Sequence, residues 1–202
     1  FDPALLSGWN VRPDDWQFGV AVQQEIAPRV SVEVGYHHRW WYGFMDVTDN
    51  ILTTAADYDT FTVTAPADPR LPGGGGYSVG PLYDVRPELG GQFSNVVHSI
   101  DDYGDYVRYW SGGDVNFVAR LRNGITLQGG TSTGRLVEDS CAVRENLPEL
   151  SLTNHRCNNR QPFQTDLRGF GTYTIPKIDV QTSVTPASRP GVLGIQAAFP
   201  TP

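Results

Sequence analysis

The chain has 202 residues, 39% of them hydrophobic, and a formal net charge of -7, enough for one large domain or two small ones. No run of about eighteen apolar residues occurs, which excludes a transmembrane helix but not a transmembrane barrel, whose strands alternate. No basic stripe is present that would neutralise a phosphate backbone, which argues against nucleic-acid binding.

The predicted elements are strands in pairs. Residues 16–26 and 30–42 are joined by Ala27-Pro28-Arg29. Trp16, Phe18, Val20 and Val22 alternate with Gln17, Gly19, Ala21 and Gln23, so one face is apolar and the other polar or small. After the turn, Val30, Val32, Val34 and Tyr36 alternate with Ser31, Glu33, Gly35 and His37, which places Glu33 and His37 on the polar face.

A long loop over about 43–105 follows. It holds ten acidic residues (Asp46, Asp49, Asp57, Asp59, Asp68, Asp84, Glu88, Asp101, Asp102, Asp105) and two basic ones, Arg70 and Arg86. The second pair, 107–122 and 125–135, is joined by Asn123-Gly124, both residues tolerant of the positive φ of a type I′ turn. Val115, Phe117, Ala119 and Leu121 share one face with Ile125, Leu127, Gly129 and Thr131 continuing the pattern. The apolar phase slips between Trp110 and Val115, where Gly112-Gly113 suits a β-bulge.

A second long loop, about 134–163, carries the two cysteines. Cys141 and Cys157 have no partners at zinc spacing and read as a disulfide closing this loop, the alternative being two free thiols. A disulfide implies an oxidising compartment. The third pair, 164–175 and 178–184, is joined by Pro176-Lys177, and a further strand is predicted over 192–199.

Aromatic residues gather where strands meet the longest loop. Trp40, Trp41 and Tyr42 form one cluster with Tyr36 and Phe44, and Tyr106, Tyr109 and Trp110 form another with Tyr103. In a membrane these would sit at the headgroup level; in water they would make a small core under the loop. Short turns at one end and long loops at the other is how an outer-membrane β-barrel is built. The fold expected is therefore all-β: antiparallel up-and-down strands, with short periplasmic turns and long extracellular loops. Six or seven strands are too few to close a barrel of at least about eight. Residues 1–202 are thus expected to form a partial β-barrel domain, an internal piece of a larger one.

The stretches Trp16-Gln17-Phe18-Gly19-Val20, Val30-Ser31-Val32-Glu33-Val34-Gly35-Tyr36 and Asn123-Gly124-Ile125-Thr126-Leu127-Gln128-Gly129-Gly130 resemble strands of TonB-dependent-receptor-like outer-membrane proteins. The likeness is to the Oar-like group, which carries an N-terminal carboxypeptidase-regulatory-like domain. Asp68-Pro69-Arg70-Leu71-Pro72-Gly73-Gly74-Gly75-Gly76-Tyr77 resembles that group's extracellular loops. The resemblance implies a barrel of about 22 strands with an internal plug, coupled to an inner-membrane energy complex. It implies substrate uptake or surface binding in the cell outer membrane, with lipid as a partner and no catalytic residues to transfer.

Chemistry-bearing motifs are sparse. His37 and His38 point to opposite faces of a strand and cannot chelate one ion together. Asp101, Asp102 and Asp105 have the acid density of a calcium site without the spacing of an EF-hand loop. Gly73 to Gly76 lacks the Lys-Ser/Thr of a phosphate loop, His98 and His155 are isolated, and Asp57 and Asp59 show no pocket. No catalytic constellation and no cofactor site is expected. Two other classes stay open: a secreted or cell-surface structural β-protein that assembles through strand edges, and a carbohydrate-binding or hydrolytic β-domain that uses the exposed aromatics.

Overall fold

A computed structural model describes residues 1–8, 11–43, 47–152 and 156–191. The predicted strand over 192–199, with Phe44 and His155, lies outside the described residues. The fold is all-β and antiparallel, with one short α-helix among the described residues.

The strands are β1 (Asp14–Ala27), β2 (Val30–Tyr42), β3 (Val47–Asn50), β4 (Tyr58–Thr64), β5 (Ser78–Val85), β6 (Asn95–His98), β7 (Val107–Arg120), β8 (Ile125–Asp139), β9 (Asn158–Arg160), β10 (Gln164–Ile175), β11 (Val180–Val184) and β12 (Ala187–Ser188). Helix α1 is Cys141–Asn146. The main sheet has eight strands, six of them in the order β1-β2-β7-β8-β10-β11, with β9 on β8 and β12 on β10. It is open and not closed into a barrel. Two further two-stranded sheets pair β3 with β6 and β4 with β5.

The three expected hairpins form, with altered turns. Between β1 and β2 the turn is Pro28-Arg29, and Arg29 takes a φ of 70°. Between β7 and β8 the turn has three residues rather than two, because Leu121 N–H donates to Ile125 O at 2.9 Å across Arg122, Asn123 and Gly124. Asn123 and Gly124 have φ of 67° and 75°, the left-handed geometry that this pair tolerates. Between β10 and β11, Ile175 pairs with Val180. Ile178 and Asp179 therefore belong to the turn and not to the strand expected from 178.

The predicted long loops hold secondary structure. The first contains β3 to β6, with Val47 opposite His98 and Tyr58 opposite Val85. In the second, β8 runs four residues past Arg135 to Asp139 and pairs with β9, Val137 opposite Arg160.

The chain divides into two compact units. The loop unit comprises Phe1–Gln17, Arg39–Trp110 and Leu136–Gln161, and the strand unit Phe18–His38, Ser111–Arg135 and Pro162–Pro202. In the loop unit, Val143 is fully buried and packs with Leu147 and Ile100, with Tyr103, Tyr106 and Leu150 against them.

In the strand unit the two faces of the sheet differ. One face is polar: His37 Nε2 lies 2.7 Å from Asp114 Oδ1, and Asn116 Nδ2 donates to Asp114 at 2.6 Å and to Glu33 at 3.5 Å. Gly35 leaves room for this network, since a Cβ there would come within 2.7 Å of Asp114 Oδ1. The other face carries Phe18, Val20, Val22, Val34, Tyr36, Val115, Phe117, Leu127, Tyr173 and Val184, all exposed, from 39% to 68%. Their alignment across strands shows in the contacts. A Cβ on Gly129 would lie 2.8 Å from the Phe117 ring, and one on Gly171 would meet both Leu127 and Val184.

Candidate functional site

At the loop-unit ends of β1 and β2, the alternation that lines up Phe18 and Tyr36 continues to Trp16, Trp40 and Tyr42. These three border a cavity of about 540 Å³. Asp14 and Gly43 complete the strand side, while Asp101 and Tyr106 come from the long insertion. Gly43 has a φ of 66°, and a Cβ there would sit 2.6 Å from Arg12 O. That close approach brings the start of β1 against the end of β2.

Tyr106 is fixed from behind. Its hydroxyl donates to Glu138 Oε1 at 2.5 Å, and its ring packs on the Ile100, Val143 and Leu147 core. Burial, followed by the hydrogen bond to Glu138, holds its phenol protonated far above the ordinary tyrosine range. Asp101 is placed by a short turn whose cap, Ser99 Oγ, accepts from Asp101 N–H at 3.4 Å. Neither Asp14 nor Asp101 makes an ion pair among the described residues. Arg39 of β2 is engaged elsewhere, with Nε on Asp15 Oδ2 at 2.5 Å and its guanidinium over the Trp41 ring at 4.7 Å.

The sequence-level aromatic clusters thus separate. Trp40, Tyr42 and Tyr106 share the cavity. Trp41 takes the guanidinium groups of Arg39 and Arg108, the second at 5.4 Å. Tyr109 and Trp110 are half-buried along β7. Likewise the three acids considered for calcium do not converge: Asp101 borders the cavity, whereas Asp102 stands with Asp2 and His98. Possible ligand atoms of Asp2, His98 and Asp102 lie within 4.8 Å of one another. His98 Nδ1 is 3.2 Å from Asp2 Oδ2, and its ring meets Tyr103 edge-on at 5.8 Å. His37 and His38 diverge, the first to Asp114 and the second to Tyr36 OH at 3.3 Å.

Cys141 and Cys157 form a disulfide, with Cα atoms 4.6 Å apart. Around it, Ser140 N–H donates to Cys157 O at 2.8 Å, and Cys141 N–H to Asp139 Oδ1 at 3.1 Å. The bridge pins α1, which carries Val143 of the core, to the strand β9 side of the insertion.

Sequence reading missed the cavity as a unit. The hairpin brings the start of β1 and the end of β2 to one cavity, which both Trp16 and Trp40 border. The arrival of Asp101 and Tyr106 depends on how the long insertion folds, which no local pattern encodes. No helix among the described residues is long and apolar enough to cross a membrane, which says nothing of strands. Comparison with protein-family models, curated proteins and solved structures finds no match to the chain.

Proposed function

We propose that this chain is part of an outer-membrane β-barrel of TonB-dependent-receptor type, its two long insertions facing the cell exterior and serving substrate uptake or surface binding. The observation that carries the reading is the two-faced sheet of the strand unit. Its apolar face leaves Val22 68% and Phe18 54% exposed, whereas its polar face is tied together by the hydrogen bonds of His37, Asp114, Asn116 and Glu33. Water penalises that apolar face, and a bilayer rewards it. The short hairpin turns, and the disulfide within the second insertion, support an exterior placement of the insertions. Coupling to an inner-membrane energy complex follows from the resemblance alone.

Cell fractionation of the full-length protein tests the reading. Recovery in the outer membrane, with release only by detergent, is the expected result. Recovery in the soluble fraction without detergent would overturn it.

One observation favours a second reading. The sheet ends at β1 and β11, and β1 is exposed along all 14 of its residues. Such an edge can pair with another chain, as a surface filament requires. Electron microscopy separates the two, since only the second produces ordered fibres.

A further inference from the structure

The cavity at the loop-unit ends of β1 and β2 has a composition that selects for charge. It is lined by four aromatic residues, Trp16, Trp40, Tyr42 and Tyr106, and by two acidic ones, Asp14 and Asp101. Among the described residues, no lysine or arginine lines it. Aromatic ring faces are electronegative and attract a cation within about 6 Å. Two carboxylates with no ion-pair partner among the described residues reinforce the same sign of potential. A neutral occupant would strip water from both carboxylates without returning a counter-charge, which is costly.

The size is that of a small-molecule site, within the range of about 300–1,000 Å³. A bare divalent ion fits poorly, because calcium takes about six to eight oxygen ligands and only two carboxylate residues line the cavity among the described residues.

We propose that this cavity binds an organic cation, an ammonium group carried either by a free solute or by an amphiphile. The ammonium would sit against the indoles of Trp16 and Trp40, with Asp14 and Asp101 supplying the charge. This inference does not depend on the membrane reading, because every lining residue belongs to the loop unit.

The test is titration of the purified full-length protein with choline, followed by tryptophan fluorescence and calorimetry. Its neutral isostere, 3,3-dimethylbutan-1-ol, and glucose serve as the competing probes. Choline is expected to bind at least about tenfold more tightly than either. Asp14→Asn with Asp101→Asn is expected to weaken choline by at least about tenfold, and Asp101→Glu alone to retain most of the affinity. A trimethylammonium amphiphile in neutral micelles distinguishes the sources. Binding of both probes assigns a free solute, and binding of the amphiphile alone assigns a lipid-like ligand. No binding by either, equal binding of the isostere or of glucose, or an unchanged affinity in the double variant would overturn the proposal. If the double variant fails to fold, the isostere comparison on the unaltered protein decides alone.

Discussion

Both units of this chain expose apolar side chains, but they differ in how many they bury. Of the buried hydrophobic residues among those described, Ala65, Ile100, Val137, Val143 and Leu147 belong to the loop unit and only Ala119 to the strand unit. The loop unit, made largely of what reads in sequence as two loops, packs around a small core of its own. It has a core, a disulfide and tyrosine hydroxyls bound to carboxylates: Tyr103 to Asp49 at 2.7 Å and Tyr106 to Glu138 at 2.5 Å. The strand unit has regular alternation and extensive backbone pairing but almost no interior. A two-faced sheet with no core of its own needs a second apolar phase, either lipid or another protein surface. The difference teaches that the apolar residues gathered by long-range packing are buried in one unit, while those placed by strand alternation stay on an open face in the other.

The comparison is broken most severely at Leu147, which is 3% exposed in the loop-unit core. Leu147→Ala removes core packing and leaves a cavity, an expected loss of about 2–5 kcal/mol. Denaturant unfolding of the loop unit, read by tyrosine and tryptophan fluorescence, measures it. The same truncation at Val22, 68% exposed in the strand unit, should stay within about 0.5 kcal/mol in water. Equal losses at the two sites would show that the units do not differ in this way.

A charge placed on the apolar face sharpens the comparison next. Val115 lies near the middle of β7 and is 42% exposed. Val115→Arg is expected to cost about 2–4 kcal/mol if that face meets the centre of a bilayer. It should cost no more than about 0.5 kcal/mol if the face meets water. Reversible folding of the full-length protein into lipid vesicles reads the difference. A neutral result would remove the lipid-facing assignment and leave the strand-edge assembly.

How much of this was legible in the sequence follows the same division. β2 runs from Val30 to Tyr42, the span predicted, because local alternation and a turn specify it. Asn123-Gly124 marked its hairpin for the same reason. The loop unit was opaque. β3 pairs with β6 from the far end of the same insertion, and neither four-residue strand carries enough period to be recognised. Asp2, His98 and Asp102 meet although almost the whole insertion separates the first from the others. The disulfide was foreseen only because two cysteines with no competing partners leave few choices. Long-range packing, unlike alternation, has no local signature.

The smallest expected effect concerns Glu149, where the loop unit buries a charge at some cost. Its Oε1 accepts from Asn50 N–H at 3.3 Å. Burial raises its carboxyl above the ordinary glutamate range, and the neighbouring Asp49 adds to the rise, while the backbone N–H groups of Glu149 and Asn50 oppose it. A folded-state value above the unfolded one means that the folded protein binds this proton more tightly. The resulting stability is fully present below the ordinary glutamate range and is lost as pH rises through the shifted value. Asp57, lowered by the Thr54 backbone N–H, and Asp68, lowered by the Arg70 side chain, act in the opposite direction. Comparison of a variant with the parent at each pH cancels those two. Glu149→Gln keeps the acceptor for Asn50 and removes the charge. At about pH 7 the variant should be the more stable by less than about 1 kcal/mol, given solvent screening of a half-exposed group. The difference should shrink as pH falls below the shifted value. Thermal unfolding across the acid range measures the gap, and a gap that widens on acidification would place Glu149 among the charges the fold welcomes.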